Sequence, residues 1–218
     1  MTEFGDILAD DERTALEVVG SLRQWRRGEV ILREGERFDW VVVLRVGRVK
    51  VASNTAGGNE VVLALRGPGA LLGELSAIGR VPVSASVTAL EPVTALVVPH
   101  FEFKRYLEAH GRVAFELMRQ LTVRLRDADR KRIEFGAFDT TGRVAARLVE
   151  LAERFGTQTP EGLRIGLPLS QDELAGWTGS SREAVTKALR ALRQEGWIKT
   201  GRMQVIVHDL EGLRSRAQ

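Results

Sequence analysis

Near Phe101 the hydrophobic rhythm of this chain changes, and no single kind of layer accommodates both halves of the change. From Glu29 to about Pro99, short Val/Ile/Leu runs stand between glycines: Trp40-Val41-Val42-Val43-Leu44, Val49-Lys50-Val51 and Glu60-Val61-Val62-Leu63-Ala64-Leu65. Such runs, roughly ten residues apart with turn signals between them, predict an antiparallel roll or sandwich. Asn54-Thr55-Ala56-Gly57-Gly58 predicts a hairpin loop within it. A short amphipathic helix, Asp10 to Leu22, precedes the strands. Beyond Phe101 the apolar positions recur every three or four residues, at Met118, Leu121, Leu125, Ala128, Arg132 and Phe135. That spacing is the seam of a two-stranded coiled coil, flanked by Arg119, Arg124, Arg126 and Arg130 and charged only at Arg132. One long helix pairing with its twin is the natural reading. Packing of the same helix on its own β domain is compatible with it.

The run Phe135 to Gly142 is expected to break that helix, with Gly136 supplying flexibility and Asp139 or Thr140 capping a new helix, Arg143 to Phe155. The fold class is therefore α+β. Residues 1–110 form an N-terminal antiparallel β-roll of effector-domain type, 111–136 a dimerisation helix and 137–218 a C-terminal winged helix-turn-helix domain. The last assignment rests on Leu169 to Thr200. Ser170 caps a helix Gln171 to Trp177, with the small residue Ala175 where two helices must approach closely, and Thr178-Gly179-Ser180 makes a turn. A second helix runs from Ser181 to Leu192, with Val185, Leu189 and Leu192 inward and Arg182, Glu183, Thr186 and Lys187 outward. Trp197 to Val207 reads as a hairpin wing with Lys199 and Arg202 at its tip, beside phosphates.

Groove chemistry assigns the roles. Arg182 offers guanine O6 and N7 two hydrogen bonds, and Glu183 accepts from cytosine N4. Ser170, Gln171 and Ser181 contact phosphates and set register. Glu183 also stands three residues after Ser180, where it can close a capping box, and both roles are open to it. Lys187, one turn beyond Glu183, is read as facing the DNA, with a solvated charge as the alternative. A second stretch raises a different chemistry. Gly73 to Ser86 opens as a short helix with Glu74 in its first turn and closes on Ser84 and Ser86, an arrangement whose free amides suit an anion.

Composition removes other classes. The chain holds 32 Lys and Arg against 29 Asp and Glu, a net charge of +3 that is only a mild pointer to an anionic partner. Cysteine is absent, which excludes disulfides, thiolate catalysis, zinc fingers and cysteine-held iron-sulfur clusters and fits a reducing cytoplasm. The first twenty residues show no apolar core of a signal peptide. The weakly charged run Val81 to Phe101 contains Glu91, Pro82, Pro92 and Pro99 and alternates like strands, so no membrane helix is expected. A metal-dependent enzyme built on the roll needs ligands on its strands, whereas His100, His110 and His208 are isolated and mostly outside it. No catalytic set and no metal site is expected. A nucleotide-sensing module without DNA binding is opposed by the intact cap, turn and Arg182.

The order of roll, long helix, hinge and winged helix, together with Gly73-Glu74-Leu75, Phe138-Asp139-Thr140-Thr141-Gly142-Arg143 and Ser181-Arg182-Glu183-Ala184-Val185, resembles the CRP/FNR family of bacterial transcription regulators from about Leu22 to His208. The absent cysteines make it similar to the cyclic-AMP-receptor branch, of actinobacterial type. The resemblance implies a cytoplasmic homodimer that binds double-stranded DNA and RNA polymerase. It implies that Arg182, Glu183 and Lys187 read a GTGA-like half-site of a palindrome. The family's usual arginine is lysine at 187, which loses the bidentate fork, and Ala184 lacks a hydroxyl often found there. It further implies a cyclic-nucleotide effector, cyclic AMP, held by Gly73, Glu74, Leu75 and Ser84, with Glu74 on a ribose hydroxyl. The family's phosphate-binding arginine, however, is Val83 here. That exchange removes a charge-assisted bond of roughly 1.5–3 kcal/mol, or about tenfold in affinity. Ala128-Asp129 stands where the receptor has its adenine-contacting hydroxyl pair. Arg80 replacing the charge, a different ligand, and a domain that needs no effector are the three outcomes left open.

Overall fold

The computed structural model describes residues 2–55, 57–58, 60–166, 170–201 and 204–217. Its helices and strands in chain order are α1 (Asp10–Val18), β1 (Ser21–Trp25), β2 (Val30–Leu32), β3 (Trp40–Val46), β4 (Val49–Asn54), β5 (Glu60–Arg66), β6 (Leu71–Leu72), α2 (Glu74–Gly79), β7 (Ser86–Ala89) and β8 (Val93–Pro99). There follow α3 (His100–Ala109), α4 (Gly111–Ala137), α5 (Thr140–Phe155), β9 (Gly156–Thr159), β10 (Gly162–Ile165), α6 (Gln171–Thr178), α7 (Arg182–Gln194), β11 (Ile198–Gly201), β12 (Gln204–Val207) and α8 (Leu210–Arg216). The chain divides into two compact units: Met1–Ser53 with Leu63–Asp127, and Asn54–Val62 with Ala128–Gln218.

The first unit is built on two four-stranded sheets, ordered β1-β8-β3-β6 and β2-β7-β4-β5. The uninterrupted apolar run in β3 has a direct cause, because both faces of that strand are buried. Val41 and Val43 join a cluster with Phe4, Leu16, Phe103 and Leu117. Val42 and Leu44 point the other way, into a cluster with Ile31, Val49, Val87 and Ala95. β8 is divided likewise, Leu96 and Val98 against the first cluster and Val93 and Ala95 against the second. A strand between two cores has no polar side, so strict alternation is lost.

At one corner the chain passes from β3 in one sheet to β4 in the other through Gly47 and Arg48. Arg48 grips Glu91 with Nε at 2.7 Å and Nη2 at 2.6 Å, which holds that carboxyl below the usual range. Gly47 has φ +86°, and a Cβ there would stand 2.3 Å from the Pro92 carbonyl oxygen.

The expected helix from Asp10 to Leu22 stops at Val18. After Gly20, Ser21 and Leu22 find backbone partners opposite Val97 and Leu96 and open β1 instead. The expected break at Phe135–Gly142 is also shorter than read. α4 continues through Gly136 to Ala137, and Asp139 caps α5 by accepting from the Gly142 amide at 2.8 Å, so α5 begins at Thr140. Gly136 is helical. The expected hairpin loop Asn54 to Gly58 lies between β4 and β5, adjacent strands of one sheet, although Ala56 lies outside the described residues.

In the second unit, α5 buries Val144, Leu148 and Leu151. A four-stranded sheet, β11-β12-β10-β9, closes one side. The sequence reading had assigned only the β11–β12 hairpin. β9 and β10 are short and polar, burying Ile165 alone, and leave no periodic signal.

Gly47→Ala is expected to lower the unfolding free energy by about 3 kcal/mol, because it adds a left-handed strain and a backbone clash together. An unchanged denaturant midpoint would show that the corner relaxes freely.

Candidate nucleic-acid interface and effector site

The pair α6 and α7 is defined by its caps. Ser170 Oγ accepts from the Glu173 amide at 3.1 Å, and Glu173 accepts from the Ser170 amide at 2.8 Å, a reciprocal capping box. Gly179 ends α6 in the left-handed conformation at φ +58°, its amide directed to the Ala175 carbonyl. A Cβ on Gly179 would lie 2.5 Å from the Phe135 ring, so both dihedral and space require glycine here. Ser181 then caps α7 by accepting from the Ala184 amide at 3.2 Å. Ser181 therefore stands just before the helix rather than within it, and it is the cap in place of Ser180.

Val185, Ala188, Leu189 and Leu192 bury one face of α7. Arg182, Glu183, Thr186, Lys187 and Arg190 are exposed along the other. The residue's own backbone amide, and then Ser181, hold the Glu183 carboxyl below its ordinary range, so it is an acceptor at neutral pH. Arg182 lies 3.8 Å from Asp172, both well exposed, a contact too weak to hold the guanidinium against a stronger partner. Gln171 accepts from Thr186 Oγ1 at 3.0 Å, which ties the start of α6 to the exposed face of α7.

Lys199 lies within β11 opposite Ile206, not at the tip of the wing, and is paired with Glu161 at 2.8 Å. Arg202 lies outside the described residues. Arg143 had been noted only as part of a motif. Its Nε donates to the Thr178 carbonyl at 2.8 Å, Nη1 to the Phe138 carbonyl at 2.6 Å and Nη2 to Ser180 Oγ at 3.2 Å. One guanidinium thus ties the α4–α5 corner to the turn between α6 and α7. Its proximity to Asp139 and Thr140 was the available signal.

In the roll, Gly73 is left-handed and caps α2, and Glu74 is 4% exposed. Arg124 of α4 donates to Glu74 Oε1 at 2.6 Å and to the Leu71 carbonyl at 3.3 Å, with the Glu3 carboxylate 3.9 Å away. Burial pushes the Glu74 carboxyl up, and the Arg124 charge offsets part of that rise. By spacing alone Arg124 is only a flank of the helix seam. Leu75 and Ser84 are exposed. Arg80 is exposed and left-handed at φ +52°. Val83 is 7% exposed and belongs to the cluster of Ile31, Leu32 and Val42. Its amide donates to the Glu36 carbonyl at 2.9 Å and its carbonyl accepts from the Gly35 amide at 2.8 Å. The position that the resemblance gives to an anion-binding arginine is thus an apolar core position. Asp129 is exposed on α4, among the residues of the second unit.

On α4, Val113 and Leu117 are buried in the first unit, and Leu121 packs half-buried against the same cluster. Leu121 is thus turned toward its own roll. Met118 at 56% and Leu125 at 63% are exposed, Phe115 extends their stripe, and Ala128 is exposed too. Among the described residues no group of three or more His, Asp or Glu side chains is placed to hold a metal, and no helix is long and apolar enough to cross a membrane.

Residues 22–110 match the cyclic nucleotide-binding domain family, and residues 142–216 match the Crp-like helix-turn-helix domain family. The chain is 34% identical over 192 residues to the CRP-like cAMP-activated global transcriptional regulator of Mycobacterium tuberculosis, covering 88% of this chain and 86% of the relative. It belongs to the CRP/FNR family of transcription regulators. A CRP/FNR relative from Thermus thermophilus, the cyclic AMP receptor protein, is 31% identical over 82% of this chain and 80% of its own. The fold matches that of FixK2 from Bradyrhizobium japonicum with a TM-score of 0.81 at 21% identity, covering 92% of this chain and 98% of that one. Members of the CRP/FNR family, the Mycobacterium tuberculosis relative among them, are transcription regulators and not enzymes.

Arg124→Met is expected to leave Glu74 buried without its cation and to raise its folded pKa further. A carboxyl with a raised folded pKa contributes most below its unfolded value, about 4.3, and loses that contribution as pH rises. The stability deficit of the variant should therefore grow as pH rises above the folded pKa of Glu74 in the unsubstituted chain, by up to roughly 1.4 kcal/mol per pH unit until the variant's own, higher folded pKa is passed. A deficit independent of pH would show that Glu74 is not the group affected.

Proposed function

We propose that this chain is a homodimeric, sequence-specific DNA-binding regulator that reads a palindrome of GTGA-like half-sites and does so without requiring a cyclic nucleotide. The observation that carries the DNA reading is the exposed row Arg182, Glu183 and Lys187 on a helix whose opposite face is fully buried. Major-groove readout needs long polar side chains near the start of such a helix, on a rigid base. Ser170, Gln171 and Ser181, exposed at the two helix starts, are assigned to phosphates, as are Lys199 and Arg202 of the wing. Lys199 must leave Glu161 to take that role, an exchange an exposed ion pair permits.

Residues 1–110 serve as the effector-type roll, 111–136 as the pairing helix and 137–218 as the DNA-binding part. Pairing is assigned to the stripe of Met118, Leu125 and Ala128, with Phe115 added by its exposure, and Leu121 bridges between this stripe and its own roll. The cytoplasm and RNA polymerase are the compartment and further partner this reading assigns.

Effector independence is supported by two features of the roll. Val83 fills an apolar core where a phosphate would need a cation, and Arg124 is already committed to Glu74 and Leu71. Gly73, Glu74, Leu75, Arg80, Ser84 and Asp129 remain the residues of a second reading, a cyclic-nucleotide or other effector. That reading is favoured by the domain match over residues 22–110 and by the left-handed Gly73 turn.

Arg182→Ala is expected to weaken binding to the selected palindrome by roughly tenfold to a hundredfold while leaving non-specific binding nearly unchanged. Specific affinity should fall steeply with salt. A footprint on the palindrome unaltered by the substitution would place recognition elsewhere. Cyclic AMP at about 1 mM is expected to leave that footprint unchanged, and a response at micromolar concentration favours the second reading.

A further inference from the structure

Charged side chains of α4 and α5 meet beneath the corner between the two helices, and the DNA-reading row uses none of them. Arg147 is 3% exposed and Glu134 is 6% exposed. Arg147 donates to Glu134 across the corner, and its Nη1 donates to Glu150 at 2.8 Å. Lys131 Nζ donates to Glu150 at 3.2 Å, and Arg154 stands 3.6 Å from the same carboxylate. Lys131 and Glu134 belong to the last turns of α4, while Arg147, Glu150 and Arg154 belong to α5. The Lys131 and Arg147 cations also lie over the Trp177 ring of α6, at 5.9 and 5.7 Å from its centre. One cluster therefore touches three helices, all within the second unit.

Charges taken out of water are tolerated only while their partners stay in place, and ion-pair geometry is narrow. Turning α5 about Phe138 and Asp139 would part Arg147 from Glu134 and Lys131 from Glu150, leaving Arg147 only Glu150 and Glu134 only the more exposed Arg130, each on its own helix. The bonds between the two helices are kept at the present angle and lost when it changes. We infer that the cluster is a latch that fixes the end of α4 to the winged helix, so that α7 is carried at a set angle from that end with no ligand bound. Lys131, Glu134 and Arg147 are positioning residues for recognition and touch no base.

The inference rests on the DNA-binding reading for one of its two readouts only. In the full chain, amide exchange across Phe135–Thr141 and affinity for the selected palindrome are compared for Glu134→Gln, Arg147→Met and Arg147→Lys. The expected result is corner exchange faster by on the order of tenfold in Glu134→Gln and Arg147→Met, with palindrome affinity weaker by a similar factor and roll amides unchanged. Arg147→Lys keeps the charge and stays closer to the unsubstituted chain. Should a variant at 134 or 147 not fold, Lys131→Met, at the rim of the cluster, is measured in its place. Corner exchange as slow as in the unsubstituted chain overturns the latch, and so does faster exchange with undiminished affinity. Failure of the unsubstituted chain to bind any palindrome is a separate result, and it leaves the exchange comparison intact.

Discussion

Everything in this chain turns on one helix having to satisfy two apolar surfaces. α4 sets Val113, Leu117 and Leu121 against the roll, while Phe115, Met118 and Leu125, on the flank and far side of the same helix, stay open to solvent. A 27-residue helix with one buried stripe would need only one apolar face. A second open stripe of large side chains is unfavourable in water unless another surface covers it. In the proposed function a second copy of the same helix covers that stripe, which would bring two recognition helices together for a symmetric site.

The roll carries a comparable conflict. Its Gly73 turn and buried Glu74 lie among the residues that match the cyclic nucleotide-binding domain family, yet the acid is matched from within by Arg124 and Val83 is an apolar core residue. Glu74 therefore has its partner inside the first unit. Replacing Val83 by arginine would not simply complete a cradle, since it would force a charge among Ile31, Leu32 and Val42.

Much of this was legible in the sequence because it rested on periodicity and caps. The β-rich run, the long helix, Ser170 as a cap, the Gly179 turn and the buried and exposed faces of α7 each followed from spacing. What escaped had no periodic signature. β9 and β10 are short and polar, and the exposed Gly136 continues α4 to Ala137 despite its weak helix propensity. Arg124 and Arg147 were hidden because ion pairs formed across 50 and 13 residues leave no mark in local spacing. Arg147 did fall on the stripe of Val144, Leu148 and Leu151, where a charge is out of place, and that was the one clue available.

The central claim is that the folded chain reads a symmetric site by itself. Selection of bound sequences from random DNA by the purified protein, with and without cyclic AMP, tests it most directly. The account predicts one GTGA-like palindrome, enriched equally in both conditions, with half-sites about one helical turn apart. Enrichment of no symmetric site, or of one only when the nucleotide is present, would contradict it.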